Sequence, residues 1–146
     1  MDWKREAIDM LKNYPAQRMS LATLPGELER LELERSALRS SLGEGEHVTG
    51  GGGEVGDKLL SNIVKRDEIK KNLELAQRRV RMVEKGLSVL DEEERRILEL
   101  MFIHRGKGNV ERLCEELNIE NPPGVYKRKD RALRKFTLAM YGVTES

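Results

Sequence analysis

A chain of 146 residues has room for one ordinary domain, or for a small domain and an extension. Charged residues make up 36% of it and aromatics only 4%, a mixture suited to long solvated helices and poor in the residues that strands prefer. No apolar run is long enough to span a bilayer, and Met1-Asp2-Trp3-Lys4-Arg5 opens onto no signal-peptide segment. The one cysteine, Cys114, excludes an internal disulfide, so a cytoplasmic protein with no membrane partner is expected.

The net charge of +1 carries no message, but its distribution does. Residues 91–120 are acidic, and residues 122–142 hold Lys127, Arg128, Lys129, Arg131, Arg134 and Lys135 against Asp130 alone.

In chain order, a first short helix is predicted from Trp3 to about Asn13, with Asp2 as its cap and an end at Tyr14-Pro15. Leu21, Leu24, Leu28, Leu31, Leu38 and Leu42 recur at spacings of three, four or seven. They predict a long amphipathic helix restarted or kinked at Pro25. The first region is therefore 1–42. Residues 43–56 contain Gly50-Gly51-Gly52-Gly53 and read as a flexible acidic loop. Gly51 and Gly56 have P-loop spacing, but Asp57 stands where the lysine belongs, which argues against a nucleotide site.

Asp57 is the expected cap of a helix over 57–90. Its stripe of Ile69, Leu73, Ala76, Val80, Val83, Leu87 and Leu90 alternates four and three, a heptad seam. Extended upstream, the seam keeps Leu59 but puts Asn62 and Arg66 in core positions, while Leu60 and Ile63 fall off it. A register shift near Arg66 is therefore expected. The helix folds back on the first region as an antiparallel hairpin. That hairpin buries too little alone and needs a third partner, the N-terminal helix or a second chain.

The last region is 91–142. Asp91-Glu92-Glu93-Glu94 is a capping-box start, followed by the apolar Ile97, Leu98, Leu100, Met101, Phe102 and Ile103 and a break at His104–Gly108. A short helix capped by Asn109 carries Val110, Leu113, Cys114 and Leu117 on one face. Asn118 suits a left-handed end, and Ile119 plugs the core beneath the turn. Asn121 with Pro122 starts the final helix, whose apolar side is Val125, Ala132, Leu133, Phe136 and Met140.

A short helix, a tight turn and a longer basic helix form the arrangement that lays a recognition helix in the major groove of duplex DNA. The residues assigned to DNA are Tyr126, Lys127, Arg128, Asp130, Arg131, Arg134 and Lys135. The cations meet phosphates, and Tyr126, Lys127 and Asp130 are nearest to base edges. A charge run on a terminal helix is also what a solvated face looks like, so a protein-interaction module without DNA binding stays open. Cys114 reads as a small core residue. His47 and His104 belong to no metal-ligand cluster, no nucleophile–base pattern is present, and neither catalysis nor a cofactor is expected.

The stretch Leu90-Asp91-Glu92-Glu93-Glu94-Arg95-Arg96-Ile97-Leu98, with Arg131-Ala132-Leu133-Arg134-Lys135-Phe136 later, resembles the fourth region of bacterial sigma factors. The longer layout, ending in Tyr141-Gly142, is similar to phage transcriptional regulators of the RinA and ArpU kind. The chain departs from the sigma pattern at Pro122, Pro123 and Gly124, where base-contacting residues stand, and at Arg128, usually an apolar core position. The resemblance implies an all-α fold, a helical hairpin followed by a helix-turn-helix, and a transcription regulator whose hairpin makes a homodimer or contacts RNA polymerase. A DNA-binding packaging component resembling a small terminase subunit is the alternative.

Overall fold

The computed structural model describes residues 1–44 and 51–144; His47 lies outside them. The fold is all-α: α1 (Trp3–Glu44), α2 (Gly51–Ser88), α3 (Glu92–Leu98), α4 (Asn109–Leu117) and α5 (Pro122–Tyr141). A π-helical segment, Glu99–Ile103, continues α3. The chain divides into two compact units, Met1–Gln17 with Arg78–Ser146, and Arg18–Gln77. Helices α1 and α2 contribute to both.

Three sequence expectations about these helices are corrected. The end at Tyr14-Pro15 and the restart at Pro25 do not occur, because α1 is continuous from Trp3 to Glu44. A proline inside a helix costs about 3 kcal/mol. Around Pro15 the packing of Ala7 and Leu11, both fully buried, works against that loss. The glycine-rich stretch expected as a loop over 43–56 is helical from Gly51, so Asp57 lies inside α2 rather than capping it. Residues 45–50 of that stretch lie outside the described residues. Glu54 reaches Lys58 one turn on at 3.5 Å, an i,i+4 pair of the kind that supports a helix.

The third correction concerns the seam. No register shift occurs near Arg66: Asn62 is 2% exposed and the Arg66 side chain 13%, whereas Leu60 is 62% exposed. Both polar side chains stay inside because each finds a partner on α1. Asn62 Nδ2 donates to the Leu31 carbonyl at 2.9 Å, and Arg66 pairs with Glu32. Among the described residues of this second unit, Leu31 and Ala76 are the buried apolar side chains.

The first unit holds two apolar clusters. One joins Ala7 and Leu11 of α1, Val83 of α2, Leu90, Leu98 of α3, and Ala132, Leu133 and Phe136 of α5. The other joins Ile97, Leu100, Leu113, Ile119 and Val125. Thus α3 and its π continuation serve both. Ile97, Leu100 and Met101 turn to the second cluster, and Leu98, Phe102 and Ile103 to the first. Trp3 packs on Tyr141 with ring centroids 4.9 Å apart, fixing the start of α1 against the end of α5. Among the described residues no helix is long and apolar enough to cross a membrane.

Candidate nucleic-acid interface

The geometry of α5 depends on the helices beneath it. Asp91 and Glu94 form the expected capping box, with Glu94 N–H donating to Asp91 Oδ1 at 2.7 Å and Asp91 N–H to Glu94 Oε1 at 3.1 Å. In the π segment the His104 N–H reaches the Glu99 carbonyl at 2.7 Å, five residues back. Asn109 is not the cap of α4, contrary to expectation. Gly108 takes that place with φ of 82°, where a side chain is strained. The Asn109 amide instead donates to the carbonyls of Leu100 at 2.8 Å and His104 at 2.9 Å, stapling the connection from α3.

The turn into α5 follows the sequence reading more closely. Asn118 closes α4 in the left-handed region, φ 53° and ψ 44°, and the Ile119 N–H donates to the Cys114 carbonyl at 3.0 Å. Ile119 is buried beneath the turn, and the half-buried Cys114 packs with its cluster. Asn121 occupies the cap position of α5 without a side-chain bond; its carbonyl accepts from the Gly124 N–H at 3.0 Å. Gly124 sits so close that an added Cβ would stand 2.7 Å from Ile119 Cγ2. A glycine at the start of α5 is therefore a packing requirement.

At about 3.6 residues per turn, Lys127, Arg131 and Arg134 fall on the side of α5 opposite Val125, Ala132, Leu133 and Phe136. All three are exposed, with no side-chain hydrogen bond or ion pair among the described residues. Arg128 and Lys135 lie on a flank and are engaged by the acidic start of α3: Arg128 with Glu93, and Lys135 Nζ with Glu94 Oε2 at 3.0 Å. Arg128 is thus exposed and paired, outside the core. On the other flank, Lys129 Nζ lies 5.4 Å from the Tyr126 ring centroid and 3.4 Å from Asp130 Oδ1. Tyr126 and Asp130 are themselves exposed.

The structure therefore sorts the assigned residues into an outward stripe (Lys127, Arg131, Arg134), an acid-held pair (Arg128, Lys135) and a Tyr126–Asp130 flank. Lys4, from the first turn of α1, lines the same hollow as Arg131 and Arg134. Sequence reasoning missed it, since nothing in the local pattern of a residue at the far end of the chain announces the contact. No family model, no curated protein and no solved structure matches this chain.

Proposed function

We propose that this protein is a transcription regulator of the phage or prophage type that binds duplex DNA through α4, the turn at 118–121 and α5. The observation that carries the reading is the stripe of unpaired cations, Lys127, Arg131 and Arg134, along the outward side of a helix whose other side is locked into two apolar clusters. Such a helix offers fixed positive charge to a groove and its phosphates, and counterion release makes the binding salt-dependent. Tyr126, Lys127 and Asp130 are the base-reading residues in this proposal; Arg131 and Arg134 contact phosphate. The test is binding to mixed-sequence duplex DNA across a salt series, for the wild type and for Lys127→Ala with Arg131→Ala. Tight binding that weakens with salt and with the substitutions is expected. Absence of binding at low salt refutes the proposal in favour of a protein-interaction module.

The regulator is further proposed to act as a homodimer or to contact RNA polymerase. Exposed Leu60, Ile63 and Val64 on one side of α2 support a second copy there. Sedimentation of the wild type and of Leu60→Glu with Val64→Glu tests this. A dimer that the substitutions dissociate is expected, whereas a ring of many copies favours the packaging alternative.

A further inference from the structure

We propose that Lys4 joins Arg131 and Arg134 in a notch that grips a DNA backbone phosphate beside the groove entered by α5. This rests on the DNA-binding reading and adds to it a residue from the opposite end of the chain. Lys4, Arg131 and Arg134 line one solvent-open hollow together with Asp130, Thr137 and Thr144. The three cations carry no side-chain hydrogen bond or ion pair among the described residues. The negative charge in the lining is partly offset, and one of the hydroxyls is engaged. Lys129 lies 3.4 Å from Asp130, and the Thr137 hydroxyl donates to the Leu133 carbonyl at 2.7 Å. An anion entering the hollow therefore meets three cations without an ion-pair partner, of which Arg131 also borders the hollow lined by Asp91, Glu93 and Glu94.

The position of Lys4 is set by rigid neighbours. Trp3 packs on Tyr141, the Asp2 carboxylate accepts from the Arg5 N–H at 3.1 Å, and Ala7 and Leu11 are fully buried in the cluster that holds Leu133 and Phe136. The first turn of α1 is thus anchored to α5, which places the backbone of Lys4 beside the arginines. Three like charges around one opening repel each other, and a phosphate between them turns that repulsion into attraction. Phosphate contacts of this kind set the orientation of a recognition helix while carrying no sequence information.

The distinguishing experiment uses the full chain and a labelled mixed-sequence duplex, with affinity followed across a salt series for wild type, Lys4→Gln, Lys4→Arg and Lys12→Gln. Lys12 is an exposed lysine of α1 outside the hollow. Lys4→Gln is expected to weaken binding roughly three- to tenfold at low salt and to flatten the dependence of log K on log salt by about 0.9, the loss of one phosphate contact. Lys4→Arg is expected to keep the wild-type slope and Lys12→Gln to change neither quantity, which separates a charge contact from a folding defect. Wild-type binding with an unaltered Lys4→Gln slope overturns the notch and leaves the DNA-binding reading intact. Absence of wild-type binding overturns both.

Discussion

Arg96 of α3 grips Glu116 of α4 with two parallel hydrogen bonds, Nε to Oε2 at 2.8 Å and Nη2 to Oε1 at 2.9 Å. Arg112 adds a third bond to Glu116 Oε1 at 3.1 Å, and Arg96 also reaches Glu99 at 3.3 Å. This fork ties together the two helices that support α5. The hydrogen bonds from Arg96, more than any other influence, hold the Glu116 carboxyl down at about 2, against an ordinary 4.5.

A carboxylate with a depressed folded-state pKa stabilises the fold above its unfolded value, and that contribution is lost as the pH falls through the folded one. The contribution of the tie to stability is therefore full above pH 4.5 and lost between 4.5 and about 2. Thermal melts of wild type and Glu116→Gln across that range are expected to converge as the pH drops, the wild type being the more stable at neutral pH. Parallel pH profiles for the two proteins would show that the tie contributes nothing to stability.

Gly86 of α2 lies against Phe136. A Cβ added there would stand 2.6 Å from Phe136 Cε2 and 2.9 Å from Cδ2, in a ring that is fully buried. Helix propensity alone makes Gly→Ala favourable by about 1 kcal/mol. Overpacking a closed core costs about 1–3 kcal/mol, and the distances make that cost dominant. Gly86→Ala is expected to lower the unfolding free energy by about 1–2 kcal/mol in a denaturant titration. A stabilised variant would mean that Phe136 has room to move. At Gly56, which has open space around it, the same substitution should stabilise.

Asn62 uses one half of its amide. Nδ2 donates to Leu31, while Oδ1 is buried with no partner among the described residues. Leaving such an atom unsatisfied costs about 1–3 kcal/mol, and the Leu31 carbonyl, inside a helix, has its own helical N–H as well. Asn62→Leu is expected to raise stability by about 1–2 kcal/mol and to weaken the preference for one pairing register, since a buried Asn specifies register at a cost in stability. Loss of stability in the variant would assign Asn62 a net favourable role.

Glu93 and Glu94 hold Arg128 and Lys135 away from the outward stripe. The Arg128–Glu93 pair is exposed on both sides, and such pairs are worth at most about 1 kcal/mol, so DNA can compete for Arg128. Glu93→Gln leaves the capping box intact and frees Arg128. An increase of about two- to fivefold in affinity for duplex DNA at low salt is expected, consistent with that energy. Unchanged affinity would place Arg128 outside the DNA contact.

Much of the last region was legible because its signals are local. A capping box needs only Asp91 and Glu94 at the right spacing, and a left-handed helix end needs only Asn118 with Ile119 after it. Both expectations stand, as does the apolar side of α5. The seam of α2 was legible from Ile69 to Leu90, but the register shift expected near Arg66 does not occur. Where the reading failed, the deciding energies were non-local. Prolines 15 and 25 look like helix ends, yet α1 runs through them. Asn62 and Arg66 look like a register error, but they are accommodated because a carbonyl and a carboxylate face them from another helix.

The same division runs through the candidate interface. The sequence by itself determined that the chain is helical, that α3 opens with a capping box and α4 ends at a left-handed Asn118, and that positive charge gathers on α5. Each of these follows from the chemistry of residues a few positions apart. Only the tertiary structure decided which cations are held by Glu93 and Glu94, and that Lys4 stands beside Arg131 and Arg134. Those are distances between residues tens or more positions apart, set by how apolar clusters close around Phe136 and Leu113, and periodicity along one helix carries no information about them.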